Sequence, residues 1–127
     1  MKSILKAMLL TTALYAATAN AAPFSKPIAA PEFTGIEKWL NSEPLSMQKL
    51  RGKVVLVDFW TYTCINCIRT LPYVKSWHEK YKDQGLAVVG VHTPEYPFER
   101  STENVSKAIQ RFDIKYPVAQ DNRYATW

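Results

Sequence analysis

Residues 57–72 read VDFWTYTCINCIRTLP and hold both cysteines of the chain, Cys64 and Cys67, separated by two residues where an apolar run gives way to a helical pattern. A pair so spaced is a redox dithiol, half of a metal site, or two buried thiols. The flanks narrow the choice. Upstream, KVVLVDFW (residues 53–60) follows Gly52 and is almost unbroken in β-branched and aromatic residues, the pattern of a central strand covered on both faces of a parallel sheet. Downstream, Ile68, Leu71, Val74, Trp77 and Tyr81 recur at spacings of three or four, an amphipathic helix that Gly85 stops and Pro72 is expected to kink. LAVVGV (residues 86–91) then repeats the buried-strand pattern. The three form a β-α-β unit, whose crossover is expected to be right-handed. Cys64 thereby falls at the helix N-terminus beside the carboxyl end of the first strand, the edge on which open α/β sheets build sites.

That placement has chemical consequences. Unpaired N–H groups and the helix dipole favour negative charge at a first turn, so Cys64 is the expected thiolate nucleophile. Cys67 lies one turn on along the same face, in reach of a mixed disulfide at Cys64, and fits the resolving role. A structural zinc site needs four ligands, and the two histidines, His78 and His92, stand far apart in sequence. Haem attachment needs a histidine directly after the pair, where Ile68 stands. Asp58 is out of place in a strand expected to be buried, because an unpaired carboxylate there is costly and its pKa is raised. It reads as a proton-handling group, with a hydrogen-bonded structural carboxylate as the alternative. His92, at a strand end, reads as a structural histidine. Thr61, three residues before Cys64, prompts a peroxidatic reading, but Val57 occupies the place of the proline that would precede such a threonine by four.

Working outward, 127 residues at 47% hydrophobic suffice for one domain. Lys2 and Lys6 precede an apolar run from Ala7 to Ala19, and Ala19-Asn20-Ala21 supplies small residues for cleavage after Ala21, so residues 1–21 read as a signal peptide. The run is shorter than the roughly 20 residues of a membrane span, and no stable span is expected after cleavage. Removing it leaves 14 basic against 11 acidic residues, a net +3 with the cations scattered among acids, which argues against a nucleic-acid partner. An exported chain meets an oxidising compartment. Residues 22–34, rich in proline and alanine, read as an extended linker, and residues 35–127 as the domain. Val105, Ala108, Ile109 and Phe112 stand at helical spacing behind Ser101 or Thr102 as cap, YPVAQD (residues 116–121) reads as a short strand, and NRYATW (residues 122–127) as the opening turn of a helix.

VVLVDFW with the C-x-x-C pair three residues on, and Pro72 five beyond the second cysteine, resembles the thioredoxin superfamily. More narrowly, LNSEPLSMQKLRGKVVLVDFWTYTCINCIRTLPYVKSWHEKYKDQGLAVVGVHTPE resembles its exported, redoxin-type branch, with the TlpA and ResA thiol reductases and the DipZ-like redox domains. The resemblance implies an α/β thioredoxin-like fold and a thiol-disulfide oxidoreductase that works outside the cytoplasm, in the periplasm or beyond. It implies Asp58 as proton relay to Cys67, Trp60 as the flanking aromatic, and Glu95 as a glutamate near the cysteines at the start of an insertion. Two departures bear on redox potential and partner surface: Ile65 and Asn66 replace the familiar Gly-Pro between the cysteines, and Thr63 replaces the preceding tryptophan. The expected chemistry needs no cofactor or metal beyond a redox-active Cys64–Cys67 disulfide. The expected partners are cysteine-containing proteins and a membrane-bound or soluble thiol donor. A thiol peroxidase, or a non-catalytic dithiol or metal-binding module, is the alternative. Against the family pattern the chain is expected to be C-terminally truncated, a β-α-β unit plus insertion helix without the final β-β-α half, leaving VVLVDF unpaired on one edge.

Overall fold

The structure, a computed structural model, describes residues 27–127. The expected signal peptide and the first part of the expected linker lie outside the described residues. Four strands, β1 (Lys38–Leu40), β2 (Val54–Trp60), β3 (Leu86–His92) and β4 (Val118–Gln120), form one sheet in the order β1-β4-β3-β2. β2 and β3 run parallel, in register from Val54 opposite Leu86 to Trp60 opposite His92. β4 is parallel to β3, and β1 closes the far edge antiparallel to β4. Helices α1 (Ile65–Tyr81) and α2 (Thr102–Arg111) and two short 3₁₀ turns, Lys82–Gln84 and Pro97–Arg100, complete the chain.

Alternation of side chains along the strands gives the sheet two apolar faces. On one, Leu56, Trp60, Val88 and Val118 meet Leu71 and Val74 of α1 and Val105 and Ile109 of α2. On the other, Val57, Phe59, Val89, Val91 and Ala119 are covered by Phe33, Ile36, Trp39 and Leu50 from the segment before β2. Each fully buried valine contributes about 1.5–3 kcal/mol. Gly90 in β3 is required by close approach: a Cβ there would lie 3.0 Å from both the Trp60 indole nitrogen and the Tyr116 ring. Gly85, at φ 95°, ends the 3₁₀ turn after α1 in the left-handed region, the stop its position implies. α2 starts at Ser101, whose hydroxyl caps the Asn104 N–H, and α1 continues through Pro72.

Three expectations are corrected. β2 is mostly half-buried, less covered than its apolar run implies, although its place at the sheet edge among the described residues is the one expected against the family pattern, and the better buried β3 is central. Residues 32–34 of the expected linker pack on the domain: the Glu32 carboxylate accepts the Met47 and Gln48 N–H groups, and Phe33 stands edge-on to Trp39 at 5.5 Å. Residues 122–127 form a turn instead of helix, held by Asp121, whose buried carboxylate accepts the N–H groups of Ala125, Thr126 and Trp127. Among the described residues, no helix is long and apolar enough to cross a membrane.

Candidate active site

The parallel pair β2–β3 ends at Trp60 and His92, and the loop Thr61–Thr63 leads from β2 into α1. Cys64 is the N-cap of that helix: its backbone is extended (φ −69°, ψ 112°), and its Sγ accepts the Cys67 N–H at 3.4 Å. A sulfur so placed takes up one of the donors that a helix start leaves unpaired. Both cysteines are free thiols and half-buried, so exposure alone does not separate them. Protonation does. Burial, then a hydrogen bond to Cys64, push the Cys67 thiol up to about 11, against a smaller opposing effect from the Thr61 backbone.

Asp58 faces the α1 side of β2, beside Leu56, Thr70, Tyr73, Val74 and Trp77. Its Oδ2 has no hydrogen-bond partner among the described residues, and burial raises its pKa. Its charge also acts on Cys67 and on Tyr116, raising both. A carboxylate so buried and without a hydrogen-bond partner binds a proton more readily than an exposed one.

Cys67 also borders a pocket of about 460 Å³, walled by Phe59, Trp60, Glu95, Tyr124 and Trp127. Trp60 is only 3% exposed and stands edge-on to His92 at 5.3 Å, so it is a wall of the site from within. Glu95 is exposed at the pocket rim, its own N–H bound to Glu99. Ile65, 56% exposed, and Asn66 face solvent between the cysteines. Pro72 is exposed in α1, eight residues past Cys64 and about 12 Å along the helix, away from the thiols. Among the described residues no three His, Cys, Asp or Glu side chains converge as a metal site requires.

Sequence reasoning passed over Glu99, which is fully buried. Its carboxylate accepts the Thr63 hydroxyl and the N–H groups of Glu95 and Tyr96 at 2.6 and 3.0 Å. Burial works to raise its pKa, but the hydroxyl and N–H groups around the carboxylate outweigh it and hold the group below the ordinary glutamate value. Thr61 lies 3.3 Å from His92 Nε2, and the fully buried His92 ring stacks on Tyr62. Burial is the main cause that pushes His92 down to about 4, against the raising effect of the Glu99 charge.

His92 therefore stays neutral in the folded chain where an unfolded one takes up a proton near pH 6.5. Stability is expected to be full above that value and to fall as the pH drops toward 4, by on the order of 3 kcal/mol. Urea unfolding of the wild type against His92→Gln between pH 7 and 4 isolates this contribution, and a gap independent of pH would contradict it.

The Redoxin family profile matches residues 26–126. The chain is 55% identical over 101 residues to protein DipZ of Mycobacterium tuberculosis, covering 77% of this chain and 14% of DipZ. It is 34% identical over 95 residues to the thiol-disulfide oxidoreductase YkuV of Bacillus subtilis, covering 75% of this chain and 64% of YkuV. A solution structure of a thioredoxin-like protein in its oxidised form superimposes with a TM-score of 0.69 at 32% identity, covering 76% of this chain and 65% of that one. The chain thus spans a small part of DipZ and less than two thirds of the other two.

Proposed function

The chain belongs to the redoxin family, within the thioredoxin superfamily, and from that premise we propose that it is an exported thiol-disulfide oxidoreductase acting on cysteine-containing proteins through Cys64 and Cys67. One observation carries the reading: Cys64 Sγ occupies the α1 N-cap on the Cys67 N–H, while Cys67 holds its proton up to about pH 11. This supports different work for the two sulfurs.

The Cys64 thiolate attacks one sulfur of a substrate disulfide. A Cys64–substrate bond forms, the substrate S–S bond breaks, and the departing thiolate takes a proton from solvent. Cys67 then gives its proton to Asp58 and attacks Cys64 Sγ. The Cys64–Cys67 disulfide forms, and the second substrate thiolate leaves and is protonated. Two electrons have passed to the substrate, and a thiol donor, membrane-bound or soluble, returns them. No cofactor enters these steps. Export is supported by the leader-like residues 1–21, and a fusion of residues 1–34 to a reporter active only after export tests it.

Catalysis is tested by insulin reduction with dithiothreitol as donor. The chain is expected to accelerate precipitation of the reduced insulin chains at substoichiometric amounts. Stoichiometric capture without turnover would leave a dithiol binding module.

A further inference from the structure

The loop that leads into Cys64 is tied down from outside the dithiol motif. Thr63, directly before Cys64, donates its hydroxyl to Glu99 Oε1, and Tyr62, one residue earlier, donates its hydroxyl to the Phe98 carbonyl at 3.0 Å. Glu99 in turn folds its own segment: Oε2 accepts the Glu95 and Tyr96 N–H groups and closes a capping box on the turn Pro97–Arg100. A carboxylate at 0% exposure, satisfied by donors from both segments, is a clamp between them, since losing either set leaves a buried charge underbonded.

We infer that Glu99 is a positioning residue for the dithiol: through Thr63 it holds Cys64 at the helix N-cap, where its sulfur meets the Cys67 N–H. The inference rests on the thiol-exchange reading of the pair. Neither Glu99 nor Thr63 touches substrate. Their effect reaches the chemistry through the placement of Cys64 Sγ, which accepts the Cys67 N–H at 3.4 Å.

Three variants separate this role from simple support of the fold. Thr63→Val cuts the link with almost no change of shape, while Glu99 keeps its two N–H donors. Glu99→Ala removes the clamp entirely. Glu99→Gln can retain all three links, its amide oxygen taking the place of Oε2 and its NH₂ donating to the Thr63 hydroxyl. Two quantities are read on the intact chain: the rate of Cys64 alkylation by iodoacetamide at pH 7, and the position of the dithiol–disulfide equilibrium with glutathione. Thr63→Val is expected to slow alkylation about tenfold, the cost of one ordinary hydrogen bond, and to move the equilibrium several-fold toward the disulfide. Glu99→Ala, where it folds, follows it, and Glu99→Gln stays within about twofold of wild type.

Thermal unfolding measured beside them shows what a merely structural role moves. A lowered Tm in Thr63→Val with unchanged alkylation and equilibrium overturns the inference, and so does a Glu99→Gln variant as impaired as the alanine. Alkylation needs no turnover, so a wild-type chain inert toward insulin would defeat the proposed function while leaving this test standing.

Discussion

Cys64→Ser is expected to reduce insulin-reductase turnover to background, a loss of roughly 10³-fold or more, because a serine hydroxyl in the same N-cap position is not ionised at neutral pH and does not attack a disulfide. Cys67→Ser should also lose turnover, for a different reason. Its first step survives, since the Cys64 sulfur and the residue-67 N–H that it accepts are both retained. The enzyme then stalls as a mixed disulfide. In the reduced wild type, the proton held on Cys67 to about pH 11 predicts that alkylation below pH 9 falls on Cys64 first. Peptide mapping of the alkylated protein checks this, and equal labelling of both thiols at pH 7 would contradict it.

Asp58→Asn is expected to slow turnover about a hundredfold, at the low end of what a positioned acid–base group contributes. Two effects compete in this variant. Losing the Asp58 charge lowers the Cys67 pKa, which favours deprotonation, and losing the carboxylate removes the acceptor for that proton. The second wins, because burial and the hydrogen bond to Cys64 dominate the Cys67 shift, with Asp58's charge among the smaller causes. The variant should be slowest at neutral pH and recover toward pH 10, as hydroxide takes over the proton. The fold should survive, since the Asp58 Oδ2 has no hydrogen-bond partner among the described residues to lose. A pH–rate profile parallel to wild type would make Asp58 a structural carboxylate.

The parts of this architecture that were legible in the sequence are those built from local pattern. The alternation of β2, α1 and β3 follows from two β-branched runs around a stripe at helical spacing, and the Cys64 N-cap follows from where the pattern changes. The start of α2 at Ser101 is readable in the same way. What escaped depends on partners distant in the chain. β1 is three residues long, too short for any periodicity, and is defined by the pairing of Lys38–Leu40 with Val118–Gln120, far on in the chain. β2 has the composition of a strand covered on both faces, yet it is mostly half-buried, because no strand among the described residues pairs with its outer side, and that depends on residues outside β2. Glu95 and Glu99 sit in one proline-containing loop and look alike as sequence. One is exposed and the other buried because Thr63, 36 residues earlier, meets only Glu99. A hydroxyl directly before the attacking cysteine was the one available hint, and it names no partner.

The division of labour between the two sulfurs is tested most directly by trapping. Cys67→Ser, reduced and then mixed with a disulfide-bonded protein substrate, should accumulate a covalent one-to-one adduct. Mass spectrometry after proteolysis without reductant should place the new disulfide on the peptide carrying Cys64, and reductant should release the substrate. Cys64→Ser treated identically should give no adduct. An adduct on Cys67 in the Cys64→Ser chain, or none on Cys64 in the Cys67→Ser chain, would contradict the account.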